Sequence, residues 1–146
     1  MHNIFLNAHK GFAYLELLLV LLFIIALLTV ILGYSGKISK LLRKSTLFVM
    51  IFFHIQFLIG IIMLVATSNF MDTIKAMGMG GLMKNSALRF TYIEHPFSML
   101  IAAVLMTILN KKLKTNDTIS MGMVVLAVLA IALFAFALPW AKLMGA

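Results

Sequence analysis

The 146-residue chain has no cysteine, which excludes disulfides and thiolate metal sites together. Acidic residues are nearly as scarce, with four Asp and Glu against twelve Lys and Arg. Charged residues of both signs make up only 11% of the chain, whereas 64% is apolar and the mean hydropathy is +1.13. That balance lies far from that of a water-soluble domain and predicts an integral membrane protein with no separate soluble domain.

What is present is long apolar runs. Four stretches, residues 12–32, 46–66, 88–109 and 119–140, reach or approach the roughly 20 apolar residues a helix needs to cross about 30 Å of hydrocarbon. The first is too long for a signal-peptide core and is followed by basic residues, not by a small-residue cleavage site, so it reads as a retained span. Gly33, Ser35 and Gly36 break the first helix, Ser45 or Thr46 can cap the second, Asn110 stops the third, and Asn116 to Thr118 can cap the fourth. Short connections favour antiparallel neighbours, which predicts an all-α, up-down-up-down four-helix transmembrane bundle formed by residues 1–146 as one domain. Gly122, Ala127, Ala130, Ala135 and Ala137 in the fourth helix admit close backbone approach, and Pro139 with Trp140 ends it near an interface.

The excess of cations reads as membrane topology and implies no nucleic-acid partner. Lys37, Lys40, Arg43 and Lys44 fall in one short connection, and Lys111, Lys112 and Lys114 in another. The positive-inside tendency makes both cytoplasmic and puts the termini on the outer side, although Lys10, Lys75, Lys84, Arg89 and Lys142 lie elsewhere. The third connection, residues 67–87, is long enough to suggest a role. Asn69 can cap a short interfacial helix, FMDTIKAM, with Phe70, Ile74 and Met77 on one face and Asp72 and Lys75 pointing elsewhere. Gly78, Gly80 and Gly81 then break it, leaving Met79, Leu82 and Met83 as an apolar flap. This segment is either a surface loop on headgroups or a lid over a site, and Asn85 or Ser86 can cap the span that follows.

Ionisable side chains at membrane depth mark sites by default. His54 stands inside TLFVMIFFHIQFLIGIIMLVA, and His95 opens another apolar run. At about 1.5 Å per residue their depths differ by roughly 6–9 Å, and Pro96 can kink the third helix, so the two imidazoles are able to face each other. Paired imidazoles in a bundle core suit haem iron. Phe52, Phe53 and Phe57 lie beside His54, Phe97 and Met99 beside His95, the small Gly60, Ala102 and Ala103 lie within two turns, and Arg89 and Tyr92 are placed to meet propionates. The site has no covalent Cys-x-x-Cys-His attachment. His9 and His2 precede the first span, with His9 either an interfacial residue or a partner of His95 on a shallower haem, and Met63 and Met99 are at depths that offer a thioether. Glu16 and Glu94 lie in the outer third, where Arg89 is available to pair with Glu16; alternatively they transfer protons or recognise a quinol hydroxyl.

The segments HKGFAYLELLLV, FFHIQFLIGIIMLV, IKAMGMGGLMKNSALRF and YIEHPFSMLIAAVLMTI resemble a family of small four-span bacterial membrane proteins loosely labelled cytochrome b-like. More distantly, the chain is similar to one four-helix half of haem A synthase, whose Gln-x-x-x-Gly pattern resembles QFLIGIIML. It departs from that enzyme in having a single bundle and in placing Glu94 directly before His95. The resemblance implies a bacterial inner-membrane protein that binds haem b through His54 and His95, with His9 as the next candidate ligand. The function expected is electron transfer or haem handling beside a respiratory or haem-handling membrane complex or quinone, and an electron carrier or binding protein is expected ahead of an enzyme. The competing classes are a cofactor-free accessory subunit, in which His54 bonds Gln56 or a neighbouring helix, and a quinone- or small-molecule-binding protein using Glu16, Arg89, Glu94 and His95. A Soret band lost in both His54→Ala and His95→Ala is the outcome expected from this pairing.

Overall fold

The described residues of a computed structural model, 2–33 and 36–140, are helical almost throughout. Ser35 and Lys142 lie outside them, as does the side chain of His2. The elements are α1 (His2–Gly33), α2 (Lys40–Ile62) with a π-helical continuation (Met63–Thr67), α3 (Phe70–Lys84), α4 (Ser86–Arg89) with a π turn (Phe90–Glu94), α5 (His95–Thr115) and α6 (Met121–Ala137). Three continuous helices, Asn3–Gly33, Lys40–Thr67 and Ser86–Thr115, are long and apolar enough to cross a membrane. The fourth apolar helix, α6, has 17 residues, about 26 Å of rise.

Helix ends fall where local chemistry allows, and several differ from the expectation. Gly33 ends α1 as expected. Ser39, not Ser45 or Thr46, caps α2 by accepting a hydrogen bond from the Leu42 amide. The basic stretch before Thr46 is thus the first turns of the helix, and the buried Ser45 and Thr46 hydroxyls donate back to the Leu42 carbonyl. Asn110 does not stop α5: it is buried inside a helix that runs on to Thr115. Ser120 caps α6, and Asn85 caps α4 through Leu88. Asn69 occupies the cap position of α3, but its side chain makes no capping bond. Gly78 breaks α3 with φ 71, as the glycines there suggested.

The helices pack in the order α1 on α2, α2 on α5 and α5 on α6. The buried stripes use helical spacing: Val20, Phe23, Leu27 and Val30 from α1, Leu42, Val49 and Phe53 from α2, Met99, Ala102, Met106, Leu109 and Leu113 from α5. Ala127, Ala130 and Ala137 are the small residues of α6 that enter the core, whereas Gly122 and Ala135 do not. Phe53 stacks on Phe134 with ring centres 5.3 Å apart.

At the basic end, the two short connections hold each other. Lys37 and Thr118 form an antiparallel bridge, with Ile38 N–H donating to Asp117 O at 2.8 Å and Ile119 N–H to Gly36 O at 2.7 Å. Arg43 reaches across from α2 and donates to the Leu113 and Asn116 carbonyls, which a helix C-terminus leaves without backbone partners. Gly36 makes the turn possible at φ 84, with its N–H bonded to the Val30 carbonyl at 3.0 Å. An L side chain in that region costs about 1–2 kcal/mol. Gly36→Ala is expected to lower the thermal midpoint in detergent, whereas Gly122→Ala, in an ordinary helical position, leaves it unchanged or raises it.

Candidate functional site

The end opposite the paired loops gathers the polar side chains. Glu16 heads the buried stripe of α1, four residues before Val20, and is 2% exposed. Gln56 ends the buried stripe of α2, three residues after Phe53, and is 4% exposed. His95 opens the buried face of α5, four residues before the buried Met99. His9, half-buried near the start of α1, completes the group.

The geometry pairs His95 with His9, their ring centres 6.0 Å apart and their planes at 85°. The Ala137 carbonyl faces His95 Nδ1 at 2.7 Å. A carbonyl can only accept, so Nδ1 carries the hydrogen and the neutral ring keeps the lone pair on Nε2. Ala137 is the last residue of α6, where carbonyls run out of helical donors. Two residues on, Pro139 lacks an N–H, and the Ala135 carbonyl four residues before it takes the Trp140 indole N–H instead, at 2.8 Å. Phe90, whose ring centre is 6.2 Å from that of His95, also meets Phe136 at 6.1 Å.

His9 is anchored through its main chain. Gln56 Nε2 donates to the His9 carbonyl at 3.0 Å, which orients the amide and leaves its oxygen as an acceptor. The α2 backbone comes close here, so that a methyl added at Gly60 would meet His9 Cε1 at 3.8 Å. Three buried side-chain atoms, His9 Nδ1, Glu16 Oε1 and Gln56 Oε1, have no hydrogen-bond partner among the described residues. Unpaired buried polar atoms are costly, and the Gln56 side chain, which interacts with both His9 and Glu16, is the group that links the three residues.

His54 is elsewhere. Its side chain is exposed on the bundle exterior, Nδ1 donates to the Met50 carbonyl of its own helix at 2.7 Å, and Nε2 lies 3.3 Å from Thr107 Oγ1. Thr107 is twelve residues beyond His95 on α5, roughly 18 Å along the axis. The structure therefore does not bring His54 and His95 together, and both nitrogens of His54 already face protein oxygens. Neither depth nor direction matches: His54 lies at the level of Thr107, far along α5 from His95, and one position off the inward stripe that carries Phe53 and Gln56.

The remaining candidates separate likewise. Arg89 pairs with Glu94 at 3.5 Å and donates to the Met83 carbonyl at 2.9 Å, not to Glu16. Tyr92 packs its ring on Phe70 at 5.3 Å, which ties α3 to the turn before His95. Phe57 is half-buried, Met99 is buried one turn below His95, and Phe97 faces outward. Among the described residues no three His, Cys, Asp or Glu side chains group as a metal cluster. Gln56, expected only as a partner of His54 or as part of the Gln-x-x-x-Gly pattern, instead faces inward beside His9, in keeping with its spacing from Ser45, Thr46, Val49 and Phe53.

Both helices that frame the site carry π segments beside it. Met63–Thr67 follows Gly60, and Phe90–Glu94 precedes His95, whose N–H bonds the Phe90 carbonyl five residues back. Such segments recur at functional sites. No protein-family profile, curated protein or solved structure matches the chain.

If the cluster is held for a ligand and not for stability, its unsatisfied groups weaken the bare fold. Glu16→Met is expected to raise the thermal midpoint of the detergent-solubilised protein, by an amount corresponding to about 1–3 kcal/mol. A lower midpoint would show that Glu16 is a structural residue.

Proposed function

We propose that the chain is a four-helix, up-down-up-down transmembrane protein of the bacterial inner membrane that holds haem b between His9 and His95 and serves electron transfer or haem handling. The observation that carries this reading is the His9–His95 pair. These two residues would hold the group, and their ring centres lie 6.0 Å apart. His95 also has the support typical of a ligand, a backbone carbonyl that takes the proton of the other ring nitrogen. His9 adds a buried imidazole nitrogen without a partner.

The donor set thus fits the group, with His9 replacing His54 as the proposed partner of His95. Bound there, haem b would supply one-electron exchange between ferric and ferrous iron. The protein's own contribution is orientation and exclusion of water. Ala137 fixes the His95 tautomer, Gln56 fixes the start of α1 through the His9 carbonyl, and Phe90 and Phe136 cover the His95 side. Held by two protein residues, the group would serve electron transfer ahead of oxygen chemistry. The basic end, where Lys37, Lys40, Lys44, Lys111, Lys112 and Lys114 collect, is then the cytoplasmic face, and the site lies toward the outer side.

A visible spectrum of the detergent-purified protein, before and after dithionite, tests this. A Soret band is expected that disappears in His9→Ala and in His95→Ala and survives in His54→Ala. A colourless protein expressed with ample haem, or a band lost only in His54→Ala, would sink the proposal.

A further inference from the structure

The basic end carries more positive charge than the protein itself neutralises. Lys37, Lys40, Lys44, Lys111, Lys112 and Lys114 are all exposed there, and the single acidic residue of the two connections is Asp117. None of the six lysines enters an ion pair among the described residues. Arg43 differs from them, since its guanidinium is held by the Leu113 and Asn116 carbonyls. That contact and the bridge between Lys37 and Thr118 fix the start of α2 against the end of α5, so the lysines are gathered in one place. Like charges held together repel, which favours an anion among them.

Four of these lysines form two pairs. Lys40 and Lys44 are one turn apart on α2, and Lys111 and Lys114 one turn apart on α5, so each pair presents two ammonium groups on one side of its helix. The stripe beneath each pair is exposed and apolar: Phe48 and Ile51 continue the face of Lys44, and Ile108 and Val104 that of Lys111. The two stripes border a common seam, because His54 and Thr107, both exposed, meet across it with Nε2 and Oγ1 3.3 Å apart. Cations at the helix ends with apolar faces beneath them match a phospholipid, whereas a soluble acidic protein or a nucleic acid would leave the stripes uncovered. Two cation pairs side by side match two phosphates.

We infer that this end of the α2–α5 seam is a binding site for a diphosphatidyl lipid of the cardiolipin class, with one phosphate at Lys40 and Lys44, the other at Lys111 and Lys114, and acyl chains along Phe48, Ile51, Val104 and Ile108. Long lysine stems let the ammonium groups reach headgroup level from helix positions at the edge of the hydrocarbon. The site rests on the membrane-spanning part of the functional proposal and not on the haem.

The full-length protein, delipidated in an uncharged detergent, is titrated with tetraoleoyl cardiolipin, dioleoyl phosphatidylglycerol and dioleoyl phosphatidylcholine. The thermal midpoint is the readout, and native mass spectrometry identifies the lipid retained. Cardiolipin is expected to raise the midpoint saturably, phosphatidylglycerol to act more weakly at equal phosphate, and phosphatidylcholine to have no effect. Lys44→Gln combined with Lys111→Gln raises the dissociation constant for cardiolipin at least about tenfold. Lys75→Gln combined with Lys84→Gln, the same loss of charge in the connection at the other end, leaves it unchanged. Lys40→Gln with Lys114→Gln serves if the first variant does not insert. Equal weakening at the two ends assigns the effect to net charge and overturns the site, as does a response to phosphatidylcholine as large as that to cardiolipin. Phosphatidylglycerol as effective as cardiolipin at equal phosphate overturns the two-phosphate assignment. The Soret band is read on the same samples: a band without lipid selectivity sinks this proposal alone, and selectivity without a band sinks the haem alone. Recovery of the expressed protein in the soluble fraction would sink the membrane reading on which both stand.

Discussion

The bond from His95 Nδ1 to the Ala137 carbonyl is the contact on which the polar end of this protein depends. It joins the start of α5 to the finish of α6 across 42 positions of sequence. In an apolar surround, a carbonyl beyond the last helical turn finds no water, and an imidazole finds little else to bond. Each satisfies the other, and the remaining ring nitrogen of His95 is thereby aimed away from α6 and left free beside His9. The tautomer, the orientation and the availability of that nitrogen follow from one hydrogen bond.

The two ends of the bundle solve the problem of helix termini differently. At the basic end every device is self-contained: two connections pair with each other, and Arg43 covers the open carbonyls of α5. At the polar end, the helices pass through π turns, the Trp140 side chain donates to the Ala135 carbonyl that Pro139 cannot serve, and His95 donates to the Ala137 carbonyl at the end of α6. Irregular backbone is retained where it shapes a site, and the rigid basic end holds the helices in register beneath it.

Glu16, Gln56 and His95 share a positional logic. Each stands at the same end of an inward stripe, above Val20, Phe53 and Met99 respectively, where the core changes from close-packed apolar residues to polar ones. The polar residues of α3 and α4 do not join them: Arg89 is held by Glu94 and Met83, so the only ion pair among the described residues stabilises the connection itself.

The sequence by itself determined the class of fold, because 64% apolar composition and long uninterrupted runs favour helices, three of which are long and apolar enough to cross a membrane. It also located the glycine breaks at Gly33 and Gly78 and the cap at Asn85, which are local effects of backbone freedom and side-chain reach. Direction around a helix was another matter. In a run as uniformly apolar as TLFVMIFFHIQFLIG, both lipid and core accept the same residues, so hydrophobic periodicity is nearly silent, and Ser45, Thr46 and Gln56 alone betray the inward face. Whether His54 or His9 meets His95 was therefore left to the packing of α1 and α2 against α5, which sets His54 beside Thr107, roughly 18 Å along α5 from His95, and brings His9 to His95 instead, since rotation of a helix cannot close an offset along its axis.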